Sequence, residues 1–355
     1  MGDELGGGPR DLRSNVKGSL KEMAAPRIDL HSHVIPHRLV EAIAAEPGVF
    51  RARIDGDGTA RKVIHDQGYV YPLFQEFHDV DAKLDSMDRK RIDISAISPA
   101  PPTFYYWADA DLALRVAGLV NDGIADMVAA MPARLRGMAS VPMQHPDAAV
   151  AELERVVREY GFKAIEIGTS IEGAQLAEPR FRPLLRRAQE LGVFIFAHPY
   201  YVGNKGGLED FYLTNLIGNP LDTTVMVANL MFSGTLDELP ELKFLLAHGG
   251  GFTPYQIGRL VHGHKVRKET SRASRSNPRE LLRRFYFDSL VFEPQALRAL
   301  IDLVGADRVA IGTDAPFDMA DNDPLGTVEA VPGITAHERE CVCCTTAMTL
   351  LCEPV

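Results

Sequence analysis

The feature that most constrains the fold is a regular alternation of short apolar runs and helical patterns along almost the whole chain. Apolar runs typical of buried strands occur at 27–33, 92–97, 134–141, 163–167, 193–198, 243–248, 285–288 and 308–314. Helical patterns separate them, at about 36–45, 80–91, 109–130, 146–160, 180–191, 222–233, from 253 onward, and at 294–304. Eight such units close naturally into a (β/α)8 barrel, so the sequence predicts the α/β class and a TIM barrel. An open doubly wound sheet is the alternative, and it is less favoured because no Gly-x-Gly-x-x-Gly motif follows the first run.

Length and composition limit the number of domains. With 355 residues, of which 46% are hydrophobic, the chain can bury the core of one barrel with insertions or the cores of two ordinary domains. We expect a flexible N-terminal tail at 1–25 and a single barrel domain at 26–355. The stretch at about 46–80 looks irregular and is long for a connection, which indicates an inserted, functional loop after the first strand.

Charge and hydropathy exclude several classes of protein. The net charge of −10 argues against nucleic-acid binding, which needs a basic surface. No run approaches the ~18 consecutive apolar residues of a membrane span. The first two dozen residues also lack the apolar segment of a secretory signal. We therefore expect a cytoplasmic protein that acts on a small molecule, with neither nucleic acid nor membrane as a partner.

Four of the predicted strands end in residues whose side chains can bind a metal or carry a proton. His31 and His33 end the first strand, and because side chains alternate along a strand, both point to the same face. His198 ends the fifth strand, His248 the sixth and Asp314 the eighth. The C-terminal ends of barrel strands meet at one mouth, so this pattern predicts a metal site there. The alternative for each histidine is a structural hydrogen bond, and for Asp314 it is a helix N-cap.

The motifs around these residues are His31-Ser32-His33, His198-Pro199, Leu246-Ala247-His248-Gly249-Gly250-Gly251 and Gly312-Thr313-Asp314-Ala315-Pro316-Phe317. Together they resemble the amidohydrolase superfamily. More narrowly, they resemble the branch that contains aminocarboxymuconate semialdehyde decarboxylase and related metal-dependent decarboxylases of aromatic and muconate acids. The likeness runs from about Arg27 to Asp323 and includes the segments 137–142 and 287–289. These motifs are specific for the branch, but they do not separate one substrate from another.

The resemblance implies a mononuclear metal site with His31, His33, His198 and Asp314 as ligands. Three neutral nitrogens and one carboxylate suit Zn²⁺ with a position left open, and Mn²⁺ is the alternative. No lysine follows the fourth strand where a carbamylated bridge would lie, which favours one divalent metal per subunit. His248 is then not a ligand. It stands beside the metal-bound water and moves a proton, because imidazole exchanges protons near neutral pH.

These roles predict a carboxy-lyase, that is, a non-oxidative decarboxylase of an aromatic or muconate-type carboxylic acid. The metal-bound water and His248 protonate the carbon that bears the carboxylate, and CO2 then leaves. The alternative is a metal-dependent hydrolase or hydratase of the same superfamily, for example one that hydrolyses a C–C bond of a ring-fission product. A third interpretation is a non-catalytic metal-binding scaffold, but the presence of His248 argues against it.

Four further residues are expected to contact the small carboxylic acid substrate. Arg259, eleven residues after His248, matches the arginine that in the decarboxylase family reaches into the neighbouring subunit and binds carboxylate, which implies a homodimer. The alternative for Arg259 is a solvated helix arginine. Tyr71 stands where that family has a second arginine; because a phenol cannot form a bidentate charged clamp, we expect one fewer acidic group on the substrate, or a phenol or ketone there. Trp107 and Phe292 are expected to offer aromatic surfaces to a flat ligand.

Overall fold

The computed structural model describes residues 25–200 and 206–353, and it confirms the predicted (β/α)8 barrel. The parallel strands are β1 Ile28–Val34, β2 Ile94–Pro99, β3 Leu135–Ser140, β4 Ala164–Gly168, β5 Phe194–His198, β6 Phe244–Leu246, β7 Tyr286–Asp288 and β8 Val309–Ala310. Each strand pairs with the next. The chain returns to β1 after β8, because the backbone N–H of Leu30 donates to the Ile311 carbonyl at 2.9 Å and that of His33 donates to the Ala315 carbonyl at 2.7 Å.

Helices cover the outside of the barrel. Those before β8 are His37–Ala45, Pro47–Phe50, Val80–Arg89, Ala110–Ala130, Pro146–Tyr160, Arg182–Glu190, Asn219–Phe232, Thr235–Glu238, Thr253–Val266, Lys268–Ser271, Pro278–Leu282 and Pro294–Val304. Those after β8 are Pro324–Glu329, Ala336–Glu340 and Thr346–Leu351, and π-helical turns lie at Thr214–Gly218 and Cys341–Thr345. Local signals set several starts: the Asp79 and Asp109 carboxylates each accept a backbone N–H three residues later, at 2.9 and 3.0 Å.

The barrel interior is apolar at the N-terminal ends of the strands and polar at the other end. The residues of the apolar cluster are Ile28, Leu30, Ala96, Met138, Ala164, Phe194, Phe196, Leu245, Ala247, Tyr286, Ala310, Cys344, Ala347, Leu350 and Leu351. The last of these belong to the C-terminal helix, which therefore closes the bottom of the barrel. The buried polar groups at the opposite end remain available for a site.

A β-bulge lies in β1 where it passes from the apolar to the polar end. Asp29 pairs with Ser95 but Ser32 pairs with Ile97, so β1 has one extra residue between these two positions. Bulges change the direction of the side chains that follow them and are frequent beside active sites. This bulge falls at Leu30 and His31, so it includes the first histidine of the His-x-His pair and affects how the two imidazoles enter the barrel.

The stretch at about 46–80 is not the irregular loop that the sequence suggested. After Pro47–Phe50 it forms an antiparallel sheet of three short strands, Ala52–Asp55, Lys62–His65 and Val70–Pro72. The expectation failed because these strands are too short to show a clear pattern, although Val63, His65 and Tyr71 are buried while their neighbours are exposed or half-buried. Its role as a functional insertion stays a prediction.

Two further expectations concern the ends of the chain and the membrane. The predicted tail at 1–25 falls almost entirely outside the described residues, so the domain boundary stays a prediction. In the described part of the chain, no helix combines the length and the apolar character needed to cross a bilayer.

Candidate metal centre and active site

The structure brings His31, His33, His198 and Asp314 together at the C-terminal ends of the strands. One potential ligand atom from each lies within 4.8 Å of the others, and all four residues are buried. The Nε2 atoms of His31 and His33 are 3.1 Å apart, and they lie 3.3 and 3.1 Å from Oδ1 of Asp314. The rings of both face His198, with centroids at 5.0 and 4.9 Å. Residues nearly three hundred positions apart therefore meet around one point.

The donors at this point fit a divalent cation. Both ring nitrogens of His198 and Oδ1 of Asp314 are buried without a hydrogen-bond partner in the described structure. Burying a polar atom without a partner is costly, so such atoms converging on one point indicate a ligand that satisfies them. Three imidazole nitrogens and a carboxylate oxygen form a recognised donor set for a transition metal. This His/Asp cluster is a metal-binding site.

The electrostatics of the cluster also favour a cation. Burial lowers the pKa of His31, but Asp314 and Asp288 more than offset this and raise it to about 10. Burial alone would raise the pKa of Asp314, yet His31, His248 and His33 hold that pKa well below its usual range. Burial, together with the neighbouring imidazoles, lowers the pKa of His198 well below its usual value. Asp314 is therefore an ionised carboxylate, and His198 presents a neutral imidazole to it.

Asp288 at the end of β7 joins the metal cluster to the loop that carries His248. Its Oδ2 lies 2.6 Å from Nδ1 of His31 and accepts the backbone N–H of His248 at 2.9 Å. Its Oδ1 accepts the backbone N–H of Gly249 at 2.7 Å. A carboxylate on Nδ1 fixes the tautomer that leaves Nε2 free for a metal. Sequence reasoning gave Asp288 no role; its position at a strand end was the available signal.

Glu166 of β4 occupies the corresponding place beside His33. Its Oε2 is 3.6 Å from Nδ1 of His33, and the Ser98 hydroxyl is 3.3 Å from the same nitrogen. Glu166 is fully buried, and neither of its carboxylate oxygens has a hydrogen-bond partner among the described residues. The outer nitrogen of each β1 imidazole thus faces an acidic side chain.

His248 stands beside the cluster rather than within it. Its Nε2 is 3.7 Å from Oδ2 of Asp314, and its ring centroid is 5.0 Å from that of His198 and 5.4 Å from that of His31. Its side chain is 18% exposed, whereas those of His31 and His33 are fully buried. An imidazole that is close to the cluster and open to solvent can exchange protons with a bound ligand.

A pocket of about 410 Å³ opens over this centre. Its lining residues are Gly68, Tyr69, Val70, Tyr71, Pro101, Pro102, His198, Pro199, Tyr200, Tyr212, Thr214, Asn215, Asn219, His248, Asp314, Phe317, Asp318 and Met319. The volume suits a small molecule, and five of these lining residues are tyrosine or phenylalanine. Tyr71 reaches the pocket from the inserted sheet, as its predicted contact with substrate requires.

Three of the predicted substrate contacts are not part of this lining. Trp107 packs away from it, with its ring 5.0 Å from that of Tyr105 and under the Arg51 guanidinium at 4.7 Å. Phe292 is 52% exposed outside the pocket. Arg259 is exposed on the helix Thr253–Val266. Whether residues such as these line a pocket depends on the conformation of their loops, which the spacing along the sequence does not reveal. Within one chain, Trp107 and Phe292 therefore lie outside the described lining of this pocket, and their contact with substrate stays a prediction.

Comparisons with known proteins agree with this geometry. The family model described as "Amidohydrolase" matches residues 28–351. The 2-amino-3-carboxymuconate-6-semialdehyde decarboxylase of Dictyostelium discoideum is 31% identical over 316 residues, which cover 88% of this chain and 88% of the relative. The gamma-resorcylate decarboxylase of Polaromonas sp. is 32% identical over 260 residues, which cover 68% of this chain and 78% of the relative. A dihydroxybenzoic acid decarboxylase from Polaromonas sp., solved with manganese and the inhibitor 2-nitroresorcinol, shares the fold with a TM-score of 0.75 at 24% identity, over 92% of this chain and 97% of that chain.

Proposed function

The chain belongs to the amidohydrolase family, and on that premise we propose that it is a metal-dependent, non-oxidative decarboxylase of an aromatic or muconate-type carboxylic acid. The observation that carries the proposal is the meeting of three imidazoles and one carboxylate around a single point, with His248 beside them in an open pocket. The relatives from Dictyostelium and Polaromonas are decarboxylases, which favours a carboxy-lyase over the hydrolase or hydratase alternative.

In this proposal His31, His33, His198 and Asp314 hold one divalent metal per subunit. When bound, the metal supplies a Lewis acid that stabilises negative charge on a substrate oxygen. His248 donates a proton from Nε2 to the carbon that bears the carboxylate. The bond from that carbon to the carboxyl carbon then breaks, its electron pair restores the conjugated system, and CO2 leaves. Asp314 Oδ2, 3.7 Å from Nε2, assists by orienting the imidazole.

We propose Zn²⁺ as the resident metal, with Mn²⁺ as the alternative. Three imidazoles with one carboxylate are typical ligands of zinc. The Polaromonas structure, however, holds manganese, so the two metals have to be compared directly. Metal analysis of the purified protein, followed by removal of the metal and reloading with each ion, distinguishes them: we expect Zn²⁺ to restore turnover at least as well as Mn²⁺.

We further propose a homodimer in which Arg259 of one subunit reaches the pocket of the other. None of the described residues that line the pocket is a lysine or an arginine, so this described part of one chain offers an acidic substrate no side-chain cation. Arg259 lies on an exposed helix that packs against Asn219–Phe232. Large apolar side chains are exposed on the same two helices: Leu221 by 42%, Val225 by 38% and Tyr255 by 89%. An exposed apolar patch of this kind is typical of a protein interface.

The proposed reaction is tested with metal-loaded protein and a panel of hydroxybenzoates, carboxylated catechols and muconate semialdehydes. We expect CO2 release from at least one of these acids. Incorporation of oxygen from ¹⁸O-labelled water into a product, without CO2, would instead establish the hydrolase or hydratase alternative. The cytoplasmic location expected from the sequence stays a prediction.

A further inference from the structure

We propose that His65 and Tyr71 form a neutral, hydrogen-donating end of the pocket that selects acids carrying a neutral acceptor oxygen and rejects acids with a second carboxylate. The inference deepens the proposed function, because it names the class of acid that the same pocket accepts. We call this pair the neutral end of the pocket. It belongs to the inserted sheet, and neither the metal cluster nor His248 is part of it.

The two side chains lie side by side in the inserted sheet. Tyr71 pairs with Val63, two residues before His65, so their side chains occupy the same face. The Tyr71 hydroxyl is 3.1 Å from Nε2 of His65, and the ring centroids are 5.5 Å apart. Tyr71 is 5% exposed and lines the pocket, whereas His65 is 2% exposed and lies behind it. His65 can therefore act on a ligand only through Tyr71, as a positioning residue.

Both groups are uncharged near neutral pH. Burial lowers the pKa of His65 to about 4, which keeps the imidazole neutral. Burial raises the pKa of the Tyr71 hydroxyl well above its usual value, so the phenol keeps its proton. The pair therefore offers hydrogen bonds without charge.

The unpartnered atom of His65 indicates the direction of the hydrogen bond. Nδ1 of His65 is buried and has no hydrogen-bond partner in the described part of the chain. A buried N–H without a partner is rarer than a buried lone pair without one, so the proton belongs on Nε2. Nε2–H then donates to the Tyr71 oxygen, and the Tyr71 O–H is left to donate into the pocket. The neutral end thus presents a donor, and the matching ligand presents an acceptor.

The charges around the pocket exclude a second carboxylate at this end. Among the described lining residues the only ionisable acids are Asp314 and Asp318, and there is no lysine or arginine. A carboxylate placed against Tyr71 would lose its hydration without gaining a cation from the described lining residues of its own chain, and this costs far more than burying a neutral phenol or carbonyl. The substrate carboxylate that reacts lies at the metal end, where the metal would supply positive charge and where we place the proposed contact with Arg259 of the partner subunit. The acids selected are therefore monocarboxylates with a hydroxyl or carbonyl oxygen elsewhere on the molecule.

Binding to the metal-loaded protein tests the proposal without requiring turnover. The probes are the three monohydroxybenzoates and the three benzene dicarboxylates, which match one another by ring position. Isothermal titration gives the dissociation constant of each probe. At each ring position, the ratio of the two constants measures the preference for a hydroxyl group over a second carboxylate. We expect at least one hydroxybenzoate to bind more than about tenfold more tightly than its matched dicarboxylate. If no hydroxybenzoate binds more tightly than its counterpart, the proposal is wrong.

Substitutions then test whether His65 and Tyr71 cause this binding preference. Tyr71→Phe should weaken binding of the preferred hydroxybenzoate by about two- to tenfold, the range of one net hydrogen bond. Tyr71→Arg should reverse the preference toward the dicarboxylate. His65→Gln, which can place an amide N–H near the position of Nε2, should retain the preference, whereas His65→Phe should lose it. Tyr160→Phe is the matched control, since the Tyr160 hydroxyl donates to Asp122 outside the pocket lining. An unchanged preference in Tyr71→Phe would overturn the assignment.

The outcomes also separate this inference from the proposed function. If the binding preference is found but no acid releases CO2, the pocket chemistry holds and the decarboxylase proposal fails. If CO2 is released from a dicarboxylate as readily as from its hydroxylated counterpart, the decarboxylase stands and the neutral end does not select.

Discussion

Replacing Asp288 by asparagine should weaken metal binding although it removes no predicted ligand. Oδ2 of Asp288 accepts hydrogen bonds from Nδ1 of His31 and from the backbone N–H of His248. Oδ1 accepts the backbone N–H groups of Gly249 and Leu290, at 2.7 and 3.2 Å. Asparagine keeps the shape but turns one oxygen into an NH2 group. In either orientation of the amide, that NH2 faces two N–H donors, so two hydrogen bonds are lost.

The size of the effect follows from the bond to His31. A hydrogen bond to a charged acceptor contributes about 1.5–3 kcal/mol, and every 1.4 kcal/mol changes an equilibrium constant about tenfold. With the amide nitrogen at the Oδ2 position, His31 loses the partner that holds its Nε2 toward the centre. We therefore expect a metal dissociation constant about 10- to 100-fold higher, in the range known for partners that orient metal ligands. With the amide nitrogen at the Oδ1 position, the hydrogen bonds from Gly249 and Leu290 are lost instead. The loop of His248 then loosens, and we expect kcat to fall.

Competition between the protein and a metal-binding indicator measures this constant directly. Asp126→Asn is the matched control, because Asp126 is an exposed carboxylate whose partner is Arg38 on the surface. The control should bind metal as the unaltered protein does. If Asp288→Asn kept both the dissociation constant and kcat/KM of the unaltered protein, the assigned link between His31, Asp288 and the loop would be refuted.

Three further outcomes are expected. His248→Ala should abolish turnover yet keep close to one metal per subunit, because His248 lies outside the ligand cluster; loss of metal in parallel, measured by metal analysis, would make it a ligand. Mixing the inactive variants Arg259→Ala and His248→Ala should restore part of the activity through hybrid dimers, and the absence of recovery despite proven subunit exchange would contradict a shared site. Glu338→Gln should lower the Tm at pH 7, because hydrogen bonds from Arg298 and Thr335 lower the pKa of Glu338 from 4.5 to about 2. A lowered pKa stabilises the fold above the unfolded value, so the Tm difference should shrink as the pH falls from 4.5 toward 2, and a constant difference would exclude this cause.

The sequence was sufficient for the barrel and for the side chains of the metal cluster. The apolar runs predict the strands well because barrel strands are buried on both faces and carry few polar residues. His31 and Asp314 could be found because both end such runs. Asp288 also ends a strand, but its role depends on a contact across 257 positions with His31, which no local pattern shows. The packing of Trp107 under Arg51 depends likewise on the inserted sheet, which was itself not predicted.

The backbone conformation of two site residues shows which part of the site geometry the sequence could not predict. His248 and Asp314 both adopt left-handed backbone, with φ of 55° and 59°, which in residues other than glycine costs of the order of 1–3 kcal/mol. Such conformations persist only where surrounding contacts hold them. Asp288 accepts the backbone N–H of His248, and the His31 carbonyl accepts that of Asp314 at 2.8 Å. Because Asp288 also holds the His31 ring, both strained residues are tied to one residue of the metal cluster, Asp314 through the His31 backbone and His248 through Asp288. The sequence identifies which side chains end the strands, but these long-range contacts turn the side chains toward one another.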